Sequence, residues 1–544
     1  MSRRSLLLTV LAAATLPYLI GLGDSTIWDA NEAFYAETAR EMVESGDYVN
    51  PSFNYQPRFN KPVLSYWIVA ASYHVFGVSE RSERLPIAMA ALVLIATAFG
   101  LGRAAAGSVD AGLHAAVAMA TMPRFLMFSR RIIIDVWITM FMALTLLCFV
   151  LAETRPQHRR RYLLLMYVAA GLGVLTKGPV AVALPALAFL VYLAMERRLG
   201  DLRRMMLPAG TAIVALIVLP WYLAVYAEHG WQYIKEFFID ENVMRYAQPV
   251  GAPRRGPFFY LPVLLSDPLP WSLFLPAAVV SAWPALRRRG SATTAEDRAR
   301  RILLVWIAAI VLFFTFSSTK QDLYIYPVVP AEMALIGAAL ATGGRDSRSS
   351  VWGLAAAGAL SVALGVVLLA VIVVPGRLDL AGSLAVSVVA LAGGVLAIGA
   401  AWKRDVRWGI TILGSTFAAL SWVFVVVTLP DFERYKPVAP LADVIAQRAG
   451  PEARIGYYRF ALPSMAFYLQ RPVFEYADAE SLRSTFASGE EVYCLMTAED
   501  YEAVRSLLPG PTYVVARRPL FDVKLRTLLE GTALPDIVLV SNRP

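Results

Sequence analysis

Charge is scarce in this sequence. Asp, Glu, Lys and Arg make up 17% of 544 residues, against 58% hydrophobic residues. A soluble domain carries about a quarter of its residues charged, so a water-soluble globular protein is excluded and a polytopic membrane protein is expected. Cysteine is nearly absent. Cys148 lies in an apolar run and Cys494 in a distant polar tail, which excludes a disulfide framework and a cysteine-built metal site. The four histidines, His74, His114, His158 and His229, lack metal-ligand spacing. Internal repeats and low-complexity tracts are missing too, which excludes solenoids. The net charge of +9 is mostly arginine. In so apolar a chain this reads as cytoplasmic anchoring of membrane loops, and nucleic acid is not expected as a partner.

What is present is a series of apolar runs, at 6–22, 85–105, 109–128, 132–152, 162–176, 178–195, 207–227, 261–286, 302–317, 324–342, 351–374, 381–402 and 408–429. Arg3 and Arg4 before the first run place the N-terminus inside. The loops 102–110, 153–161, 196–204, 287–301, 343–349 and 403–407 then fall on the cytoplasmic side and hold most arginine clusters, as the positive-inside rule requires. The start resembles a signal peptide, but loop parity favours an uncleaved first span. The expected fold is mostly α, with about 13 transmembrane helices over residues 1–430. A long first loop (23–84) and a second long loop (228–258) face the periplasm. Beyond residue 430 short β-like runs alternate with helix-like ones, which predicts a soluble periplasmic α/β domain over 431–544. It shows no Gly-rich phosphate loop.

The outer face carries cations that the orientation rule disfavours. Arg58, Lys61, Lys177, Arg245, Arg255 and Lys320 are the strongest candidates, with Arg81, Arg84, Arg124, Arg130, Arg131, Lys235 and Arg254 beside them. Such a set suits phosphate groups. The alternatives are pairing with acids of the same loops or with lipid head groups. Lys177 lies in a very short turn, Leu175-Thr176-Lys177-Gly178-Pro179, and would otherwise be a snorkelling interface lysine. Among the acids, Asp29, Glu32, Glu37 and Glu41 are predicted to share one amphipathic helix, with Asp29 and Glu32 on one face. The alternative for Asp29 is a helix cap. Asp135 sits near the outer end of a span, where ionisable residues mark function, or pairs with Arg130 or Arg131. Tyr35, Tyr55, Tyr324 and Glu241 are candidate substrate-lining residues. Acidic pairs could hold a divalent ion, but no metal or cofactor is required by the pattern.

Several short motifs in order resemble the GT-C class of polytopic glycosyltransferases. They are the first loop with Asp29, Arg58-Phe59-Asn60-Lys61-Pro62, Leu175-Thr176-Lys177-Gly178-Pro179, Pro220-Trp221-Tyr222, and Phe237-Phe238-Ile239-Asp240-Glu241-Asn242-Val243-Met244-Arg245-Tyr246. Within that class the chain is similar to the branch of lipid A aminoarabinose transferases, called ArnT, and protein mannosyltransferase-like relatives. The resemblance implies an inverting transfer from an undecaprenyl-phosphate sugar at the periplasmic face of the bacterial inner membrane. The implied sugar is 4-amino-4-deoxy-L-arabinose and the implied acceptor lipid A phosphate, with polymyxin resistance as the outcome. It implies Asp29 as the catalytic acid, Asp135 as a second one, and Lys61 with the outer cations as the phosphate site. Glu32, three residues from Asp29, is a further catalytic candidate, and a monomer among membrane lipids is expected. The family often has Glu-His where this chain has Glu241-Asn242. A protein O-mannosyltransferase-like enzyme and a lipid-linked-sugar flippase are the alternatives.

Overall fold

The computed structural model describes residues 2–248, 255–288, 293–342, 347–374, 380–520 and 534–544. Arg254 lies outside the described residues. Among these, seven helices are long and apolar enough to cross a membrane, from Glu80–Ala106 to Val406–Tyr435, and nine if each of two bent pairs counts as one span. The bends correct two runs read as straight. Val109–Ala120 and Pro123–Ser129 meet at 66°, and Pro257–Ser266 and Trp271–Arg287 at 102°. Proline removes an amide donor and clashes with the preceding turn, and Pro123, Pro268 and Pro270 stand at these breaks. The four other apolar runs are helical but short or charged at one end: Arg3–Thr15, Arg159–Lys177, Val180–Met195 and Ala295–Thr315.

Helix boundaries follow local chemistry. The Ser79 hydroxyl accepts from the Ser82 amide to open Glu80–Ala106, and a Thr294/Asp297 capping box opens Ala295–Thr315. Small residues then let helices approach. A Cβ on Gly394 would lie 2.6 Å from the Gly358 carbonyl oxygen, so the helices Arg348–Leu368 and Ser383–Trp402 touch backbone to backbone there.

The loops sort to opposite ends of the bundle. At one end Glu153 pairs with Arg159 (2.6 Å) and Arg198 (2.7 Å), and Glu196 pairs with Arg301. At the other end stands the first loop, built on the helix Asn31–Ser45 and a small hairpin, Ser52–Phe53 with Gln56–Pro57. The helix begins at Asn31, not at Asp29. Ala30 at its N-cap offers no side chain to the amides, and Asp29 therefore lies outside the helical face it was predicted to share with Glu32.

The C-terminal region holds a five-stranded sheet in the order Phe474–Tyr476, Arg454–Tyr458, Val492–Thr497, Asp536–Ser541, Tyr513–Pro519. The first three strands are parallel and the last two join antiparallel. Strand alternation divides its apolar residues. Leu495, Ile537 and Leu539 pack with the helix Val438–Arg448, while Cys494, Met496, Val538 and Val540 pack with Leu482 and Phe486 of Ala479–Ala487.

This region is fastened to the first loop. The Thr26 amide and hydroxyl donate to Glu433 Oε2 (2.8 and 2.7 Å), and the Ile27 amide donates to the Tyr468 hydroxyl (2.7 Å). At the hairpin tip the Asn54 amide group exchanges two hydrogen bonds with the Val473 backbone.

Candidate functional site

The site begins with two helix ends. The span Ile134–Thr154 brings Asp135 in its first turn, and the helix Arg159–Lys177 ends on Lys177. The Lys177 ammonium donates to Asp135 Oδ1. Lys177 is thus held inward and does not snorkel, and Asp135 takes Lys177 as its partner in place of Arg130 or Arg131. Gly178 fixes this arrangement. Its φ of +89° suits glycine, and a Cβ there would lie 2.6 Å from the Phe237 ring. The Lys177 turn is therefore pressed against the segment Lys235–Met244, which is wound with the wider π-helical repeat. Tyr324 stands beside the pair, its ring centroid 5.8 Å from the Lys177 ammonium.

The segment Lys235–Met244 delivers Glu241 to the same place. Glu241 accepts from Lys61 (2.9 Å) and pairs with Arg245 (3.1 Å). Burial lowers the Lys61 ammonium below its ordinary value; Glu241 opposes this, while Lys177 and Arg245 add to it. Three cations thus feel one another around two acids. Tyr35 closes the group, stacked on Tyr66 at 5.4 Å. Burial raises its phenol well above the ordinary value, Tyr66 adds to this, Arg58 pulls the other way, and Asp135 and Glu241 push it further up. The hydroxyl stays protonated and is available as a donor. Arg58 lies 4.2 Å over the Phe34 ring.

Arg255 and Lys320 form the rim. The segments 245–248 and 317–320 are joined by the Ser318 amide donating to the Tyr246 carbonyl (2.8 Å). Lys320, 7% exposed, donates to the Ser317 carbonyl (2.5 Å), and Arg255 donates to the Lys320 carbonyl (3.1 Å). In this structure both hold the loop rather than reach into the cluster.

The structure places three predicted site residues elsewhere. Glu32 is 1% exposed, and both its oxygens accept from Arg84 (2.7 and 2.9 Å), with the Trp28 and Ile132 amides completing the shell. Burial opposes its charge, but Arg84 outweighs it and holds the carboxyl below the ordinary value. Glu32 is a buried ion pair that anchors the loop, with its lone pairs engaged. Tyr55 is at the hairpin tip, donating to the Gln470 carbonyl (3.0 Å). Asp29 accepts from the Ser464 amide and hydroxyl, both at 2.7 Å, and the charges acting on it are Lys436 and Glu32. It fastens the C-terminal region to the loop.

Part of the Asp29 surface stays open to water, yet its crevice desolvates the carboxyl enough to raise it to about 6. The Ser464 hydrogen bonds oppose that rise. The folded protein therefore binds this proton more tightly than the unfolded chain does. The stability it contributes is complete below 3.8 and is lost as pH rises through about 6. The melting temperature of the wild type, minus that of Asp29→Asn, is expected to fall across this window and to be level above it. A pH-independent difference would refute the assignment.

Sequence reasoning missed Ser464, Lys436 and Tyr66 and gave Arg84 no special place. Their partners lie far away in the chain, as with Lys436 donating to Ser25 Oγ at 2.7 Å. Among the described residues, no group of three or more His, Cys, Asp and Glu side chains is placed to hold a metal ion.

Comparisons with known proteins sharpen this picture. Residues 60–223 match the family described as dolichyl-phosphate-mannose-protein mannosyltransferase. The chain is 30% identical over 419 residues to an undecaprenyl phosphate-alpha-4-amino-4-deoxy-L-arabinose arabinosyl transferase of Pectobacterium carotovorum, covering 74% of this chain and 73% of that protein. It is 31% identical over 334 residues to such a transferase of Pseudomonas fluorescens, covering 61% of this chain and 55% of that protein. The matches thus span between about half and two thirds of the length of several curated relatives. In fold, the chain is similar to crystalline ArnT from Cupriavidus metallidurans bound to undecaprenyl phosphate, with a TM-score of 0.78 at 24% identity, over 98% of this chain and 97% of that one.

Proposed function

This chain belongs to the undecaprenyl phosphate-4-amino-4-deoxy-L-arabinose arabinosyl transferase family, and from that premise we propose that it is a membrane glycosyltransferase moving a sugar from undecaprenyl phosphate to lipid A phosphate. The observation that carries the reading is the Asp135–Lys177 pair with the Lys61–Glu241 pair beside it, in one cluster of charges at the ends of apolar helices. Asp135, Lys177 and Lys61 lie within the region 60–223 that matches the mannosyltransferase family. A polyprenyl tail would lie along the apolar helices, with its phosphate among Lys61, Lys177 and Arg245.

In this mechanism an acceptor oxygen attacks the anomeric carbon from the face opposite the phosphate. The new C–O bond forms as the old one breaks, the configuration inverts, and the electron pair leaves with the lipid phosphate. Lys61, Lys177 and Arg245 stabilise the charge that gathers there. A phosphate acceptor is already anionic and needs no base. Asp135 then holds Lys177 and the sugar, while Tyr35 donates a hydrogen bond. An acceptor hydroxyl would instead need Asp135 to take its proton. The mannosyltransferase match favours this second reading, with a protein hydroxyl as acceptor. Orientation follows the arginine pattern: the charge cluster and the C-terminal region face the periplasm, and the N-terminus faces the cytoplasm of an inner-membrane protein.

The test is transfer by purified protein in detergent, with undecaprenyl-phosphate aminoarabinose and lipid A as substrates. The expected result is lipid A heavier by one aminoarabinose in the mass spectrum. Transfer only from a mannosyl donor to a peptide would select the second reading, and no transfer from any lipid-phosphate sugar would sink both.

A further inference from the structure

A second cationic crevice shares no lining residue with the Lys61–Lys177 cluster. It is formed where the first loop meets the ends of two membrane segments, and it opens to solvent on one side. Arg84, Arg130 and Arg131 line its polar part with Trp28, and Met127 and Phe424 line its apolar part. Met127 belongs to the bent span ending at Ser129, and Phe424 to the span Val406–Tyr435. Apolar lining and guanidinium groups therefore share one opening at the end of the bundle.

The three arginines are not equivalent. Arg84 is committed to Glu32 and to loop carbonyls. Arg130 is spent on the carbonyls of Pro17, Ile20 and Gly21. Arg131 differs. Among the described residues its guanidinium has neither a hydrogen-bond acceptor nor an acid within ion-pair reach, and its Nε is buried without a partner. The faces of Trp28 (5.5 Å) and Phe128 (5.7 Å) hold it. A half-buried cation without an anion is costly. Burial pulls Arg131 below its ordinary value, Glu32 opposes this, and Arg84 and Arg124 add to it, so the site favours an incoming negative charge. A guanidinium fork matches two phosphate oxygens at once.

We infer that this crevice is a second phosphate site, which seats the phosphomonoester headgroup of a lipid with Arg131 as its principal ligand. The apolar lining favours a lipid over free phosphate, because an acyl chain leaving the headgroup passes Met127 and Phe424. Identifying that lipid with the acceptor rests on the transferase reading; the binding does not.

The test uses the full chain in detergent with phosphatidic acid, phosphatidylcholine and inorganic phosphate as probes, read by native mass spectrometry. Wild type is expected to retain phosphatidic acid over phosphatidylcholine. Arg131→Gln is expected to weaken retention by about tenfold or more, the scale of charge-assisted hydrogen bonds. Arg131→Lys keeps part of it. Met127, 44% exposed, is not part of the packed core: Met127→Glu puts a carboxylate at the opening and lowers retention to a similar extent. Lys61→Met loses transfer but keeps phosphatidic acid, which separates failure of this site from failure of the transferase reading. Displacement by millimolar inorganic phosphate without a lipid preference would keep the anion site and overturn its lipid assignment. Equal retention in wild type, Arg131→Gln and Met127→Glu would overturn the site.

Discussion

Asp135→Asn is expected to lower transfer by about a hundred- to a thousandfold, the loss seen when one preorganised electrostatic group is removed from a site. Asparagine keeps the shape of the side chain and removes its charge. Lys177 then loses its acid partner and is free to turn, and the sugar loses the carboxylate that would orient it. Because Asp135 and Lys177 act through one contact, Lys177→Met is expected to cost a similar factor. The double variant should cost little more than either alone, since groups acting as a unit are not additive. Single-turnover rates separate this loss from changes in donor binding. Asp29→Asn is the contrast, because its carboxylate is engaged by Ser464, and it is expected to retain transfer. Wild-type rates in Asp135→Asn with an inactive Asp29→Asn would reverse the two assignments.

Arg84→Met is the substitution expected to cost the most stability, about 3–5 kcal/mol, because removing one partner strands a buried charge. Arg84 is 1% exposed and donates to both Glu32 oxygens and to the carbonyls of Leu22 (2.9 Å) and Thr26 (3.0 Å). Methionine follows the stem of the side chain but satisfies none of these groups. Pairing it with Glu32→Leu removes the stranded carboxylate as well, and should recover part of the loss. Denaturant titration of the purified protein in detergent measures both. An undiminished midpoint for Arg84→Met would show that the pair does not anchor the loop.

Asp135, Lys177, Glu32 and Asp29 show what could be read from the sequence. Asp135 stood out because a carboxylate in an apolar span has few bland explanations, and Lys177 because Gly178 and Pro179 confine its turn. Both readings needed only local information. Glu32 and Asp29 look alike in the chain, three residues apart in a polar stretch. What separates them is distant: Arg84 reaches one, and Ser464, 435 residues away in sequence, reaches the other. No local pattern encodes such partners. The helix start failed for a similar reason, since Ala30 carries no capping group and the loop is held by long-range contacts instead. The bends at Pro123 and at Pro268 and Pro270 were legible in principle, because proline interrupts a helix wherever it stands, but apolar run length alone conceals them. The mostly helical bundle followed from composition and apolar run length, because a bilayer imposes both; its GT-C character came only from the resemblance carried by the short motifs.

The fastening of the C-terminal region to the first loop has a consequence for the order of assembly. Chains are made from the N-terminus, and residues 25–29 leave the first apolar helix long before residues 433–468 exist. The bonds from Thr26 to Glu433 and from Ile27 to Tyr468 close over 407 and 441 residues of sequence. The loop that emerges first is therefore finished last. During biosynthesis it waits, with Asp29 and the backbone of Thr26 and Ile27 still in water, until the whole bundle has been inserted and the C-terminal segment has folded against it.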